Sequence, residues 1–202
     1  MTSKKFSQIA KEVIVVPNVL TLEECSALQC EAIANQVDGA AFNADADQYE
    51  PDERVIRCKS SYHRRSGANE WLYQRLAALF TFAGEQFGIQ ASEPLEDMNI
   101  MIYGAGDHLN GWHQDIGIGD YSSLRRVGVS VELSDPLSYT GGELQFYPGF
   151  SSKSAVAQGG ATVFTAYKYH RVTPVISGAR YSLVNFCGAV DELGLVSAGG
   201  CQ

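Results

Sequence analysis

After Glu93 the hydrophobic pattern of this chain changes period, and that change constrains the fold more than any other feature. The runs MNIMIY, RVGVSVEL, GELQFY, ATVFTAY, HRVTPV and RYSLVNF are short, alternate apolar with polar residues, and are punctuated by Gly and Pro. In RVGVSVEL the side chains of Val127, Val129, Val131 and Leu133 share one face, because successive strand residues point to opposite sides. Several such strands at close spacing predict an antiparallel sandwich or small barrel.

The first half has a different period. Thr21 followed by Glu24 is a capping-box signature, and it predicts a helix over 22–34 with Leu22, Cys25, Leu28 and Ala32 as its apolar positions. Leu72, Leu76, Leu79, Phe80, Ala83 and Phe87 form the stripe of a second, core-facing helix that Gly88 ends. Between them the segment 40–54, AAFNADADQYEPDER, is acidic and polar and predicts a surface loop of the kind that serves as a lid. No repeat or linker divides the sequence. We therefore expect one domain over 1–202, with helical support mainly in 1–92 and a stranded core mainly in 93–190.

Composition narrows the function classes. With 45% hydrophobic and 19% charged residues the chain can bury a core, which excludes intrinsic disorder and a long solvated coiled coil. A net charge of −8 opposes phosphate neutralisation, so neither nucleic acid nor an anionic membrane is an expected partner. A local exception is the basic group Arg54, Arg57, Lys59, His63, Arg64 and Arg65. It reads either as a solvated face or as a receptor for an acidic substrate, with Arg57 and Arg64 the candidate substrate contacts. Five cysteines without a CxxC pair read as reduced thiols. The apolar run Val13 to Val16 is too short for a signal sequence and no stretch reaches membrane-spanning length, so the expected location is the cytoplasm.

The chain has four histidines, His63, His108, His113 and His170. In GWHQD, His113 and Asp115 stand two apart, which on an extended backbone projects an imidazole and a carboxylate to one side, where they can share a cation. His170 heads a later strand, and a third ligand there completes a facial triad of two histidines and one carboxylate. Ten and twelve residues beyond it, Arg180 and Ser182 share a strand face, a guanidinium fork and a hydroxyl suited to capturing a carboxylate. Taken singly, HxD is commonly a surface pair, His170 a satisfied core histidine and RxS an ordinary strand. Packing alone does not account for all three in this order.

In this order the residues resemble the iron(II) and 2-oxoglutarate-dependent dioxygenases, in their prolyl 4-hydroxylase-like (PKHD-type) branch. The resemblance runs through VPNVLTLEEC, WLYQRL, IYGAGDHLNGWHQD, VSVELSDPLSYTGGELQFYP and ATVFTAYKYHRVTPVISGARYSLVNFCG. It implies a mostly β fold, a double-stranded β-helix (jelly-roll, cupin-like) flanked by packing helices. It implies His113, Asp115 and His170 as iron ligands and Arg180 as partner of the distal carboxylate of 2-oxoglutarate, assisted by Ser182 and with Tyr103 near the cosubstrate. It further implies Fe(II), 2-oxoglutarate and O2 as reactants, with ascorbate an optional addition. The product is a hydroxylated prolyl residue, free amino acid or small metabolite, formed with succinate and CO2. Gly141 and Gly142 match the family's GGEL turn, while Leu109 and His108 depart from its pattern beside the first ligand. Two other classes stay open: a non-catalytic jelly-roll module binding a metal or ligand, and a zinc hydrolase, which needs a nearby general base and has no use for Arg180 with Ser182. Oligomeric state is not legible in the sequence.

Overall fold

The computed structural model describes residues 12–38, 58–118, 122–151 and 156–188. Among them, in chain order, run β1 (Val13–Val16), α1 (Leu22–Ala34), β2 (Val37–Asp38), β3 (Lys59–His63), α2 (Glu70–Phe87), β4 (Met98–Tyr103), β5 (Leu109–His113), β6 (Arg125–Glu132), β7 (Thr140–Gly141), β8 (Leu144–Phe146), β9 (Phe150–Ser151), β10 (Ala161–Thr165), β11 (His170–Val172), β12 (Val175–Ser177) and β13 (Arg180–Gly188). The acidic segment 40–54 and Arg57 lie outside the described residues.

The start of α1 and the end of α2 are set by capping chemistry. At the start of α1 the Thr21 N–H donates to Glu24 Oε2 (2.8 Å) and the Glu24 N–H donates to Thr21 Oγ1 (3.2 Å), closing the capping box. The same Glu24 carboxylate accepts from Arg75 Nη1 of α2 at 2.6 Å, a contact that holds its carboxyl below the usual range and ties the two helices together. Helix α2 stops at Gly88, whose φ of 70° is a left-handed conformation that favours glycine.

The strands form a seven-stranded antiparallel sheet in the order β1-β10-β6-β13-β4-β3-β2, a four-stranded sheet β5-β11-β8-β9, and the small pair β12-β7. Val127, Val129, Val131 and Leu133 lie, as their alternation predicts, on the face of the large sheet that packs against Leu72, Leu76, Phe80 and Ala83 of α2. The alternate residues face inward, where Met101, Tyr103 and Phe164 from the large sheet meet Leu144, Phe146 and Val172 from the smaller one. Two sheets enclosing an inner cluster, with helices on the outside of one of them, make the fold a double-stranded β-helix. No helix of the described residues is long and apolar enough to cross a membrane.

Three details depart from the sequence reading. Leu22 is 58% exposed, because it opens the helix on the side away from the sheet, while Cys25, Leu28 and Ala32 are buried. Val13–Val16, to which the sequence reading assigns no element, is an edge strand paired with β10. Lys59–His63 is a strand paired with β4, although the sequence shows it only as part of a basic group. Its inward Ser60 and outward Ser61 are both buried, so no hydrophobic alternation marks it.

Phe80 is fully buried between α2 and the large sheet, and Phe80→Ala is expected to destabilise the fold by about 3–5 kcal/mol. Thr21→Ala, which removes one cap, should cost about 1 kcal/mol. Urea unfolding of the two variants measures the difference, and equal losses would contradict this placement of the core.

Candidate metal centre and its carboxylate pocket

Strand pairing brings the two candidate histidines together. β11 runs antiparallel to β5 with His170 directly opposite His113, and on its other side His170 stands opposite Phe146 of β8. The imidazole centroids are 4.3 Å apart. Asp115 lies just past the end of β5, held by hydrogen bonds from its own N–H (2.8 Å) and that of Ile116 (3.1 Å) to the Ala166 carbonyl. Arg125 Nη1 donates to the Asp115 carbonyl at 3.2 Å, and Arg125 is itself fixed by a two-pronged ion pair with Glu96, one contact of which is Nη2 to Oε2 at 2.7 Å. One candidate ligand atom from each of His113, Asp115 and His170 falls within 4.8 Å of the other two.

The orientation of the rings is set from behind. His113 Nδ1 donates to the Gly111 carbonyl and His170 Nδ1 donates to the Lys168 carbonyl, each at 2.9 Å. A carbonyl only accepts, so Nδ1 carries a proton in both rings and Nε2 is the nitrogen left for a ligand role. Those Nε2 atoms point at Asp115, His170 Nε2 standing 3.3 Å from Oδ2 and His113 Nε2 3.8 Å from Oδ1. Carbonyl-braced imidazoles are also the usual second layer of a metal site. The donor set of two imidazoles and one carboxylate suits Fe(II).

Arg180 and Tyr103 stand opposite each other in the register of β13 and β4, with the guanidinium carbon 5.7 Å from the phenol ring centre. Burial pushes the Tyr103 phenol well above its ordinary range, with Cys58 adding to the rise, Arg180 opposing it, and Asp115 raising it further. Tyr103 therefore stays protonated and lies within electrostatic reach of both Arg180 and the His-Asp-His cluster. Phe146 and Phe164 complete the link: both belong to the inner cluster with Tyr103, and their ring centres lie 5.6 and 4.8 Å from that of His170. Burial likewise raises the Cys58 thiol to about 12, which removes it as a nucleophile.

Three further placements bear on the sequence reading. Ser182 shares the inner face with Arg180, but its Oγ is hydrogen-bonded to Ser130 Oγ at 2.7 Å. Gly142 sits where an added Cβ would meet Val175 at 2.9 Å and the Arg180 Cδ at 3.3 Å, with φ at +62°, so it serves as packing beside Arg180 rather than only as a turn. Arg64 is exposed and follows His63, which pairs with Met98, roughly 17 Å of strand away from Tyr103 on β4; it is not part of the cluster.

The structure also supplies an anion for Arg180 that the sequence reading left to a ligand. Its Nε donates to Glu132 Oε2 at 2.9 Å, with both side chains buried, and Tyr139 hydrogen-bonds both partners. The signal was present in RVGVSVEL: Glu132 has the parity opposite to Val127, Val129 and Val131, which puts a carboxylate on the inner face of a central strand. Phe164, Phe146, Arg125 and Glu96 were missed because nothing in their local spacing separates them from ordinary strand and loop residues.

Asp115→Ala should lose the stabilisation that a divalent cation gives the wild type. Thermal melts with and without Mn(II) read the effect, and retained metal stabilisation in the variant would contradict the site.

Comparison with known proteins places these features among relatives. Residues 98–188 match the model of the 2OG-Fe(II) oxygenase superfamily. A PKHD-type hydroxylase of Shewanella sp. (strain MR-7) is 30% identical over 179 residues, 83% of this chain and 74% of that protein. A PKHD-type hydroxylase of Hyphomonas neptunium is 36% identical over 91 residues, 43% of this chain, and the match spans only 40% of that protein's length. Among solved structures, the viral collagen prolyl hydroxylase of Paramecium Bursaria Chlorella virus-1 superposes with a TM-score of 0.64 at 17% identity, over 91% of this chain and 100% of that one. At that identity the superposition speaks for the fold.

Proposed function

The chain belongs to the 2OG-Fe(II) oxygenase superfamily, and on that premise we propose that it hydroxylates an unactivated C–H bond of a prolyl residue in a peptide or protein, consuming 2-oxoglutarate and O2 and releasing succinate and CO2. The observation that carries this reading is the convergence of His113 Nε2, Asp115 and His170 Nε2 on one point, with both Nδ1 atoms committed to carbonyls. Those three residues would hold Fe(II). Arg180 would receive the distal carboxylate of 2-oxoglutarate, and the protonated Tyr103 hydroxyl would donate a hydrogen bond to the cosubstrate. When bound, iron would activate O2 as the oxidant, with 2-oxoglutarate oxidised alongside the substrate, chemistry that no side chain supplies. The protein's share is to orient them, and Phe146 and Phe164 keep water away from the inner side of His170.

The choice of a prolyl substrate over a free amino acid is supported by the relatives, a PKHD-type hydroxylase in sequence and a viral collagen prolyl hydroxylase in fold. A zinc hydrolase built on the same three ligands would leave the Arg180–Tyr103 pocket without a task. The free thiols of Cys25, Cys30, Cys58 and Cys187 suit a reducing compartment, the cytoplasm, as its place of action.

The test is succinate release by the Fe(II)-loaded protein against proline-containing peptides, free proline and other free amino acids. Peptide-dependent turnover is expected, and stimulation by a free amino acid alone would move the substrate to that class. Arg180→Ala should raise the KM for 2-oxoglutarate by at least about tenfold while leaving Fe(II) affinity unchanged. An unchanged KM would contradict the placement of the cosubstrate.

A further inference from the structure

A buried arginine that awaits a ligand carboxylate is costly in the empty protein, because an unpaired charge away from water has nothing to offset its lost hydration. Here Glu132 removes that cost. It comes from the central strand β6, opposite Ser182 in the register with β13, and its carboxylate takes the Nε edge of the Arg180 guanidinium at 2.9 Å. The two side chains are only 3% and 7% exposed. The Tyr139 hydroxyl hydrogen-bonds both, and Gly142 lies close against the aliphatic part of Arg180. The fork of terminal nitrogens is then the edge on which a second carboxylate can dock, against a guanidinium whose charge is already shared.

We propose that Glu132 is a positioning residue that aims Arg180 and, through its own negative charge, deliberately limits the grip of the pocket on the distal carboxylate of 2-oxoglutarate. The proposal rests on the reading of Arg180 given above. Two carboxylates on one guanidinium repel each other, and in a buried site that repulsion is poorly screened. Succinate, the co-product, has a carboxylate in the same place as 2-oxoglutarate. A restrained grip therefore speeds its departure, at the expense of cosubstrate affinity.

Glu132→Gln separates charge from geometry, since glutamine still offers Nε–H an acceptor oxygen. In the anaerobic Fe(II) protein, E132Q is expected to bind 2-oxoglutarate on the order of tenfold more tightly than wild type, and to be inhibited by succinate at correspondingly lower concentrations. Binding of 2-oxobutyrate, which lacks the distal carboxylate, should not change. Without ligand the variant should melt below wild type, and 2-oxoglutarate should raise its melting temperature more than it raises that of wild type. If E132Q does not fold, Glu132→Asp, which withdraws the carboxylate by one methylene, should shift 2-oxoglutarate affinity in the same direction by less. Unchanged or weaker 2-oxoglutarate binding in the folded variant, or equal tightening of 2-oxobutyrate, overturns the proposal. Wild-type protein that fails to prefer 2-oxoglutarate over 2-oxobutyrate overturns the assignment of Arg180 itself, and the proposal with it.

Discussion

Three candidate ligands can converge on one point only if their backbone is fixed independently of the cation they would share. Here that rigidity comes from the antiparallel pairing that sets His170 opposite His113 and Phe146, together with the Nδ1 hydrogen bonds from both rings to carbonyls two residues earlier. Asp115 is fixed separately, by the Ala166 carbonyl and by Arg125, which is braced in turn by Glu96. The cluster is therefore preorganised by strand and loop backbone for the cation it would hold.

The same two sheets solve a second electrostatic problem at the other end of the inner face. Arg180 is buried as deeply as an apolar residue and is tolerable because β6 places Glu132 against it and Tyr139 bonds both. Tyr103 stands between the two problems, feeling Arg180 from one side and Asp115 from the other, and burial keeps its proton in place. The candidate cation site and the Arg180–Tyr103 pair thus share the inner face between the two sheets rather than being neighbouring accidents. Their spacing is governed by strand register, which a single-residue slip would destroy.

Sequence made the large features legible wherever a period was strong. The 3.6-residue stripe of α2 and the alternation in β4, β6 and β13 are read directly from apolar spacing, and the ends of α1 and α2 from Thr21, Glu24 and Gly88. The candidate ligands were legible because their residue types are chemically specific and their order matched a known family. β3 was not, since a strand of two buried serines and flanking polar residues owes its form to its partner β4 rather than to its own pattern. The pairing of Arg180 with Glu132 was half legible: parity put the carboxylate inward, but only the register of β6 against β13 brings it to the guanidinium. Arg64 shows the converse, a charge cluster in sequence that the strand carries away from the site.

The central claim is that His113, Asp115 and His170 would hold Fe(II) and that Arg180 would hold the distal carboxylate of 2-oxoglutarate. Anaerobic titration of the protein with Fe(II) and then 2-oxoglutarate, followed by visible absorption, tests it most directly. A metal-to-ligand charge-transfer band that needs both additions and is absent from His170→Ala is the predicted result. Fe(II) binding with no such band, or the same band in His170→Ala, would contradict it.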